Sequence, residues 1–138
     1  MGAAWERGPG LRVVDAATVE MLRRHWEEGW NSNDADLVVE PFADDVVFSS
    51  PFVPRILGDP DTWEVRGLDA VRQYVADSFV RATQGIRYRC DRADAGTDGV
   101  VLSYTVLHPA GERPGVDLMR LGPDGKVVEW RCHYPFDD

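Results

Sequence analysis

From Ile86 onward the chain divides into four strand-length segments separated by turn chemistry, and this order limits the fold more than any other feature. The segments are Ile86 to Ala93, Val100 to His108, Val116 to Leu121, and Lys126 to Tyr134. Between them stand Gly96 to Gly99, Pro109 to Gly115, and Gly122-Pro123-Asp124-Gly125, rich in residues that favour turns. Helical periodicity belongs to the part before. After Asp15, the residues Val19, Leu22, Trp26 and Trp30 recur at helical spacing, with Glu20, Arg23, Arg24, Glu27 and Glu28 on the other side. This predicts an amphipathic helix that buries two tryptophans, with Asp15 and Thr18 as candidate caps. Asn31 to Asp34 breaks the pattern; Asp36 to Glu40 makes a short second helix limited by Pro41. Val46 to Phe48 reads as a first strand, closed by Ser49, Ser50 and Pro51. Gly67 opens a third helix with Val71, Tyr74, Val75 and Phe79 as its buried stripe and Gly85 as its stop. A strand meander after helices predicts an α+β fold with the helices on one face of an antiparallel sheet.

A chain of 138 residues suits one core, able to bury roughly two-thirds of its unfolded surface. With no internal repeat or linker, 1–138 reads as a single domain in which 1–12 form a flexible lead-in. Phe52 to Arg66, punctuated by Pro54, Gly58 and Pro60, reads as a long excursion beside the pocket rather than a core element, and as a lid over its mouth. The formal net charge of −9 argues against nucleic acid, whose binders carry a basic surplus. Arg81, Arg87, Arg89 and Arg92 form a local basic stretch, but Ile86, Tyr88 and Cys90 interleave with it, so it reads as a solvated or interface face. No apolar run reaches membrane-span length and the first ten residues hold no signal-peptide core, which points to a cytoplasmic protein. Cys90 and Cys132 then read as free buried thiols.

Strand alternation puts Asp117, Met119 and Leu121 on one face, and Trp130, Cys132 and Tyr134 on one face of the next strand. A carboxylate facing such a core has its pKa raised by desolvation, which suits a proton donor or shuttle. An alternative placement leaves Asp117 partly exposed and paired to Arg120 or Arg131. The histidines, His25, His108 and His133, lack the spacing of a metal pair, so no metal site is expected. His25 points about a third of a turn from Trp26, His133 alternates away from Trp130, and His108 ends its strand at a pocket mouth or a sheet edge. Most of the aromatic residues are core by default, but some must line a cavity if a curved sheet leaves its wide end unfilled.

The run Met21 to Pro51, with Trp26, Trp30, Asp34, Phe42-Ala43-Asp44-Asp45 and Ser50-Pro51, resembles the opening of the nuclear transport factor 2-like superfamily. The helix entry Gly67 to Tyr74 and the hairpin from Val116-Asp117-Leu118-Met119-Arg120-Leu121 to Asp124-Gly125-Lys126-Val127 resemble its remainder. The resemblance, which spans about residues 15 to 134, implies a strongly curved antiparallel sheet forming a cone, three helices closing an apolar pocket, and a homodimer joined through the outer sheet face. The superfamily includes ketosteroid isomerase, SnoaL-like polyketide cyclases and limonene epoxide hydrolases. The isomerase's oxyanion-hole aspartic acid falls on Asp117. Its general base falls on Ser50, its tyrosine donor on Trp26, and the two supporting tyrosines on Phe42 and Val75. A serine is no base, so steroid-type isomerisation is not expected. The aspartate–arginine–aspartate relay of the epoxide hydrolases has no full counterpart.

The expectation is a SnoaL-like enzyme that acts without a cofactor on a hydrophobic, carbonyl-bearing small molecule. Asp117 would supply acid/base catalysis and Tyr134 would orient a substrate oxygen. Trp26, Trp30, Phe48, Ser50, Tyr74, Met119, Trp130 and Cys132 would bind substrate. The competing expectation is a non-catalytic binding or dimerisation module of the same fold.

Overall fold

The computed structural model describes residues 3–81 and 85–137. The start of the expected lead-in and positions 82–84, at the end of the third expected helix, lie outside the described residues. The chain forms α1 (Ala16–Asn31), α2 (Ala35–Val39), β1 (Phe42–Ser49), α3 (Val53–Leu57), β2 (Glu64–Arg66), α4 (Leu68–Arg81), β3 (Arg87–Ala95), β4 (Gly99–His108), β5 (Gly111–Leu121) and β6 (Val127–His133). Residues 3–15 precede α1 without helix or strand, tied down where the Val14 amide donates to the Gly96 carbonyl at 2.9 Å.

Asp15 caps α1, its carboxylate accepting from the Thr18 amide at 2.7 Å, and Asp34 caps α2 in the same way through Leu37. The two helices meet closely at Gly29. A Cβ there would sit 2.5 Å from the Val38 Cγ2, so only glycine permits this approach. Leu22 and Trp26 on α1 and Val71, Tyr74 and Val75 on α4 are buried against the sheet, which is why the sequence shows two apolar stripes at helical spacing.

The six strands make one curved, open sheet in the order β2-β1-β6-β5-β4-β3. The sheet departs from the all-antiparallel expectation at one place: β1 runs parallel to β6, with Phe48 beside Trp130. Parallel neighbours need a long connection, and here it is the whole chain between Ser49 and Val127. Register shifts between Cys90 and Arg92 and between Arg120 and Leu121 mark bulges, which bend strands.

Two expectations are corrected. The segment 52–66 reaches the core at its two ends, where Val53 is fully buried, Val65 is buried, and β2 pairs with β1 through Phe48 and Val65, while residues 57–61 between them are exposed as an excursion would be. It adds a fourth, five-residue helix to the expected three. The second correction concerns 109–115, where the turn is only Pro109 and Ala110 and β5 begins at Gly111, opposite His108. Pro114 is tolerated inside β5 because β6 reaches only as far as Val116, so the edge of β5 is unpaired at position 114.

Candidate active site

Asp117 is 1% exposed, and it is held by three donors from three elements. Its Oδ2 accepts from the indole Nε1 of Trp26 on α1 and of Trp130 on β6, each at 2.9 Å. Its Oδ1 accepts from the Tyr104 hydroxyl on β4, also at 2.9 Å. The alternative pairing with arginine does not occur: Arg120 and Arg131 both turn to Glu129, at 3.3 and 3.8 Å. Burial pushes the Asp117 carboxyl up from its ordinary value, while the hydrogen bonds, Trp130 first, pull the other way without cancelling it.

The strand pairing explains how Tyr104 reaches this acid. Tyr104 lies opposite Gly115, and Asp117 lies two residues further along the same face of β5. A Cβ on Gly115 would stand 2.6 Å from the tyrosine ring, so the missing side chain is the space in which the ring lies. The ring also packs against Trp26 at 4.4 Å between centroids. Burial, and then the Asp117 charge, push the Tyr104 hydroxyl far above its ordinary value. Burial likewise raises Tyr134, with further contributions from Cys132 and Asp117. Cys132, opposite Asp117 on β6, is raised by burial and by that same carboxylate.

Asp117 stands in the wall of an apolar cavity of about 260 Å³. Of the residues expected from sequence, Asp117, Tyr134, Trp26, Trp30, Phe48, Ser50, Tyr74, Trp130 and Cys132 all line it. Met119 does not: it shares the Asp117 face but lies in the packed core, opposite Val100 and Trp130. Phe48 bridges Trp130 and Tyr74, at 4.3 and 4.9 Å between centroids, and so joins the sheet wall to α4. Ser50, in the position of the isomerase's base, interacts with the Tyr74 hydroxyl and accepts from the Phe52 amide at 3.2 Å. The Trp30 indole N–H is buried without a partner among the described residues.

Sequence reasoning missed Tyr104, Tyr88, Phe52, Ile56 and Arg113, all of which line the cavity. Alternation along β4 groups Tyr104 with Leu102, Val106 and His108 and was the available signal for Tyr104. His108 is at the cavity wall; His25 instead bonds the Leu37 carbonyl through Nδ1 at 3.1 Å, and His133 is exposed. Half of the basic stretch is neutralised, Arg89 by Asp91 and Arg92 by Asp94. Both cysteines are free, Cys132 buried as expected but Cys90 only half-buried. Among the described residues no three His, Cys, Asp or Glu side chains converge as metal ligands, and no helix is long and apolar enough to cross a membrane.

Comparison with known proteins agrees with this architecture. A SnoaL-like protein of unknown function from Burkholderia thailandensis superposes with a TM-score of 0.75 at 28% identity, over 88% of this chain and 98% of that one. An NTF2-like protein of unknown function from Mesorhizobium loti gives 0.68 at 21% identity, over 94% and 98% of the two chains. SalBIII, an epoxide hydrolase/cyclase-like enzyme in pyran ring formation in the polyether salinomycin, gives 0.65 at 20%, over 88% and 94%. No curated protein matches the chain. The SnoaL-like domain family matches residues 22–130, from α1 to the indole that holds Asp117, and the chain belongs to that family.

Proposed function

We propose that the protein is a small-molecule enzyme that uses the Asp117 proton for acid/base isomerisation or cyclisation of a hydrophobic, carbonyl-bearing metabolite, without a cofactor. The observation that carries this reading is the distribution of donors on Asp117. An indole N–H only donates, so Trp26 and Trp130 together occupy Oδ2. A proton on this carboxyl therefore sits on Oδ1, facing Tyr104. When Oδ1–H donates to the Tyr104 oxygen, the tyrosine's own proton is free to point to Tyr134 or to a substrate oxygen in the cavity. Tyr104 is too weak an acid to give that proton up alone. Relay from Asp117 supplies it while Oδ2 keeps both indole bonds.

The cavity's composition supports an apolar substrate, and the aromatic walls suit a flat one. Ring formation by SalBIII, on the same fold, is chemistry of this class. A homodimer through the outer sheet face belongs to the same reading, since Val116 and Leu118 on that face of β5 are 38% and 39% exposed.

A second reading, a ligand-binding or dimerisation module without catalysis, is favoured by one observation: both Asp117 oxygens already have partners, as a structural acid would. Asp117→Asn separates the two. The amide oxygen accepts both indoles and the NH₂ donates to Tyr104, so the neutral acid is mimicked without a transferable proton. With substrates identified by screening aromatic and polycyclic ketones, an enzyme loses about 10²-fold or more in kcat while binding persists. Unchanged turnover removes Asp117 from the chemistry, and ligand binding with no turnover in either form leaves the binding module.

A further inference from the structure

We infer that the ligand carries an anionic group, of carboxylate type, at the end remote from Asp117, and that Arg113 anchors it at the cavity mouth with help from His108. This rests on the cavity being a ligand site, but not on the chemistry assigned to Asp117. Arg113 is the one cationic Lys or Arg among the described residues lining the cavity. Alternation along β5 puts it on the inward face with Gly115 and Asp117, while Glu112 alternates to the outer face. On the same sheet Arg66, Arg89, Arg92, Arg120 and Arg131 each pair with a neighbouring carboxylate, and Arg87, which does not, lies opposite Leu107 and outside the cavity lining. Arg113 makes no ion pair or side-chain hydrogen bond among the described residues, in a chain with 24 acidic side chains against 15 basic ones. An arginine so placed has five N–H groups directed at whatever occupies the mouth.

His108 stands two residues from Val106, the partner of Arg113, on the same face of β4. Its Nδ1 accepts from the Ala110 amide at 2.9 Å, so the neutral ring carries its proton on Nε2 and offers a second donor. The opposite end of the cavity has the reverse character. Around Asp117 the described lining offers no Lys or Arg, so an anionic ligand group there would be desolvated without a counter-charge. Four residues of β5 separate the two ends by about 13 Å of strand. The ligand class is thus amphipathic: an uncharged carbonyl or ether oxygen at Tyr104, an apolar body against Phe48, Tyr88 and Trp130, and an acid at the mouth.

The test uses 6-acetyl-2-naphthoate, whose ketone and carboxylate stand at opposite ends of an aromatic body, and its methyl ester, titrated calorimetrically into the full chain. The acid should bind roughly tenfold more tightly than the ester, the value of one charge-assisted contact at a partly solvated site. Arg113→Gln should erase that preference, Arg113→Lys should keep part of it, and rising salt should reduce it wherever position 113 is cationic while leaving Arg113→Gln unaffected. Asp117→Asn should leave it intact, so failure of the proton-transfer reading and failure of the anion anchor are separable. Equal affinity for acid and ester, a preference surviving Arg113→Gln, or no binding of the acid up to its solubility limit overturns the inference. Circular dichroism melts that match the wild type show that exposed position 113 was changed without loss of fold.

Discussion

Gly115 and Tyr104 face each other across the β4–β5 ladder, and the glycine's absent side chain is filled by the tyrosine ring whose hydroxyl bonds Asp117. Gly115→Ala should therefore act as an active-site substitution without touching a polar atom. Forcing the ring aside costs about 1–3 kcal/mol of overpacking and weakens the Tyr104 hydroxyl's reach. Tyr104→Phe alone leaves Oδ1 unpartnered at a similar cost of about 1–3 kcal/mol. The phenylalanine ring still meets the methyl, so only the hydrogen-bond part of the two losses overlaps, and urea unfolding of the double variant should show a loss measurably below the sum of the single ones. Simple additivity would mean that Gly115 does not position Tyr104.

The raised Asp117 pKa gives stability a definite pH dependence. An acid whose folded value lies above its unfolded value, near 3.8, binds its proton more tightly when folded. Its contribution is fully present below that unfolded value and is lost as pH rises through the folded one, at up to about 1.4 kcal/mol per pH unit. The exposed carboxylates of Asp15, Asp36, Asp59 and Asp91 are held low by hydrogen bonds and act in the opposite sense, below the ordinary carboxylate range. Comparison with Asp117→Asn isolates the buried group. Wild type minus variant, measured by urea unfolding from pH 4 upward, should become steadily less favourable to the wild type. A flat difference would show a carboxyl titrating at the same pH in both states.

The contact between α1 and α2 should be as intolerant as the site itself. Gly29→Ala drives a methyl into the Val38 Cγ2 and backbone, so about 1–3 kcal/mol should be lost. Part of the clash is with a side chain, and Val38→Ala in the same chain should recover some of it. Thermal unfolding of the three variants decides this, and a neutral Gly29→Ala would mean that the helices separate freely.

How much of this was readable in advance follows from the range of each interaction. Spacing alone left Asp117 open between an inward and an arginine-paired placement, because Val116 and Leu118 on the outer face are as apolar as Met119 on the inner one, and the resemblance of the hairpin favoured the inward placement. Trp26 was legible as a stripe residue on α1, but its bond to Asp117 spans 91 positions and leaves no local trace. Tyr104 had a local signal, since Ser103 and Thr105 alternate away from it, but Val101 and Leu107 near the strand ends make the other face apolar as well and weaken that signal. Pro114 and Gly115 looked like a turn. They are a strand because β6 stops short of Pro114 and because Gly115 must admit an aromatic ring, both facts of pairing rather than of composition. The three-residue β2 and five-residue α3 are too short for any period to show, and the parallel β1–β6 pair is set by topology alone.

Thiol reactivity should report on the state of the cavity. Cys132 lines it, fully buried beside Asp117, and both burial and that carboxylate raise its thiol pKa. Cys90 lies on β3 outside the cavity lining, is half-buried, and is raised by burial as well. Only the thiolate alkylates, so at neutral pH both should react slowly with iodoacetamide, Cys132 the more slowly. In Asp117→Asn the carboxylate's repulsion of a thiolate is gone, and Cys132 should alkylate faster while Cys90 keeps its rate. Mass spectrometry of the peptides separates the two sites. Equal acceleration at both would indicate loosening of the whole sheet, whereas an unchanged Cys132 would mean that Asp117 carries its proton, and therefore no charge, at the pH of the reaction.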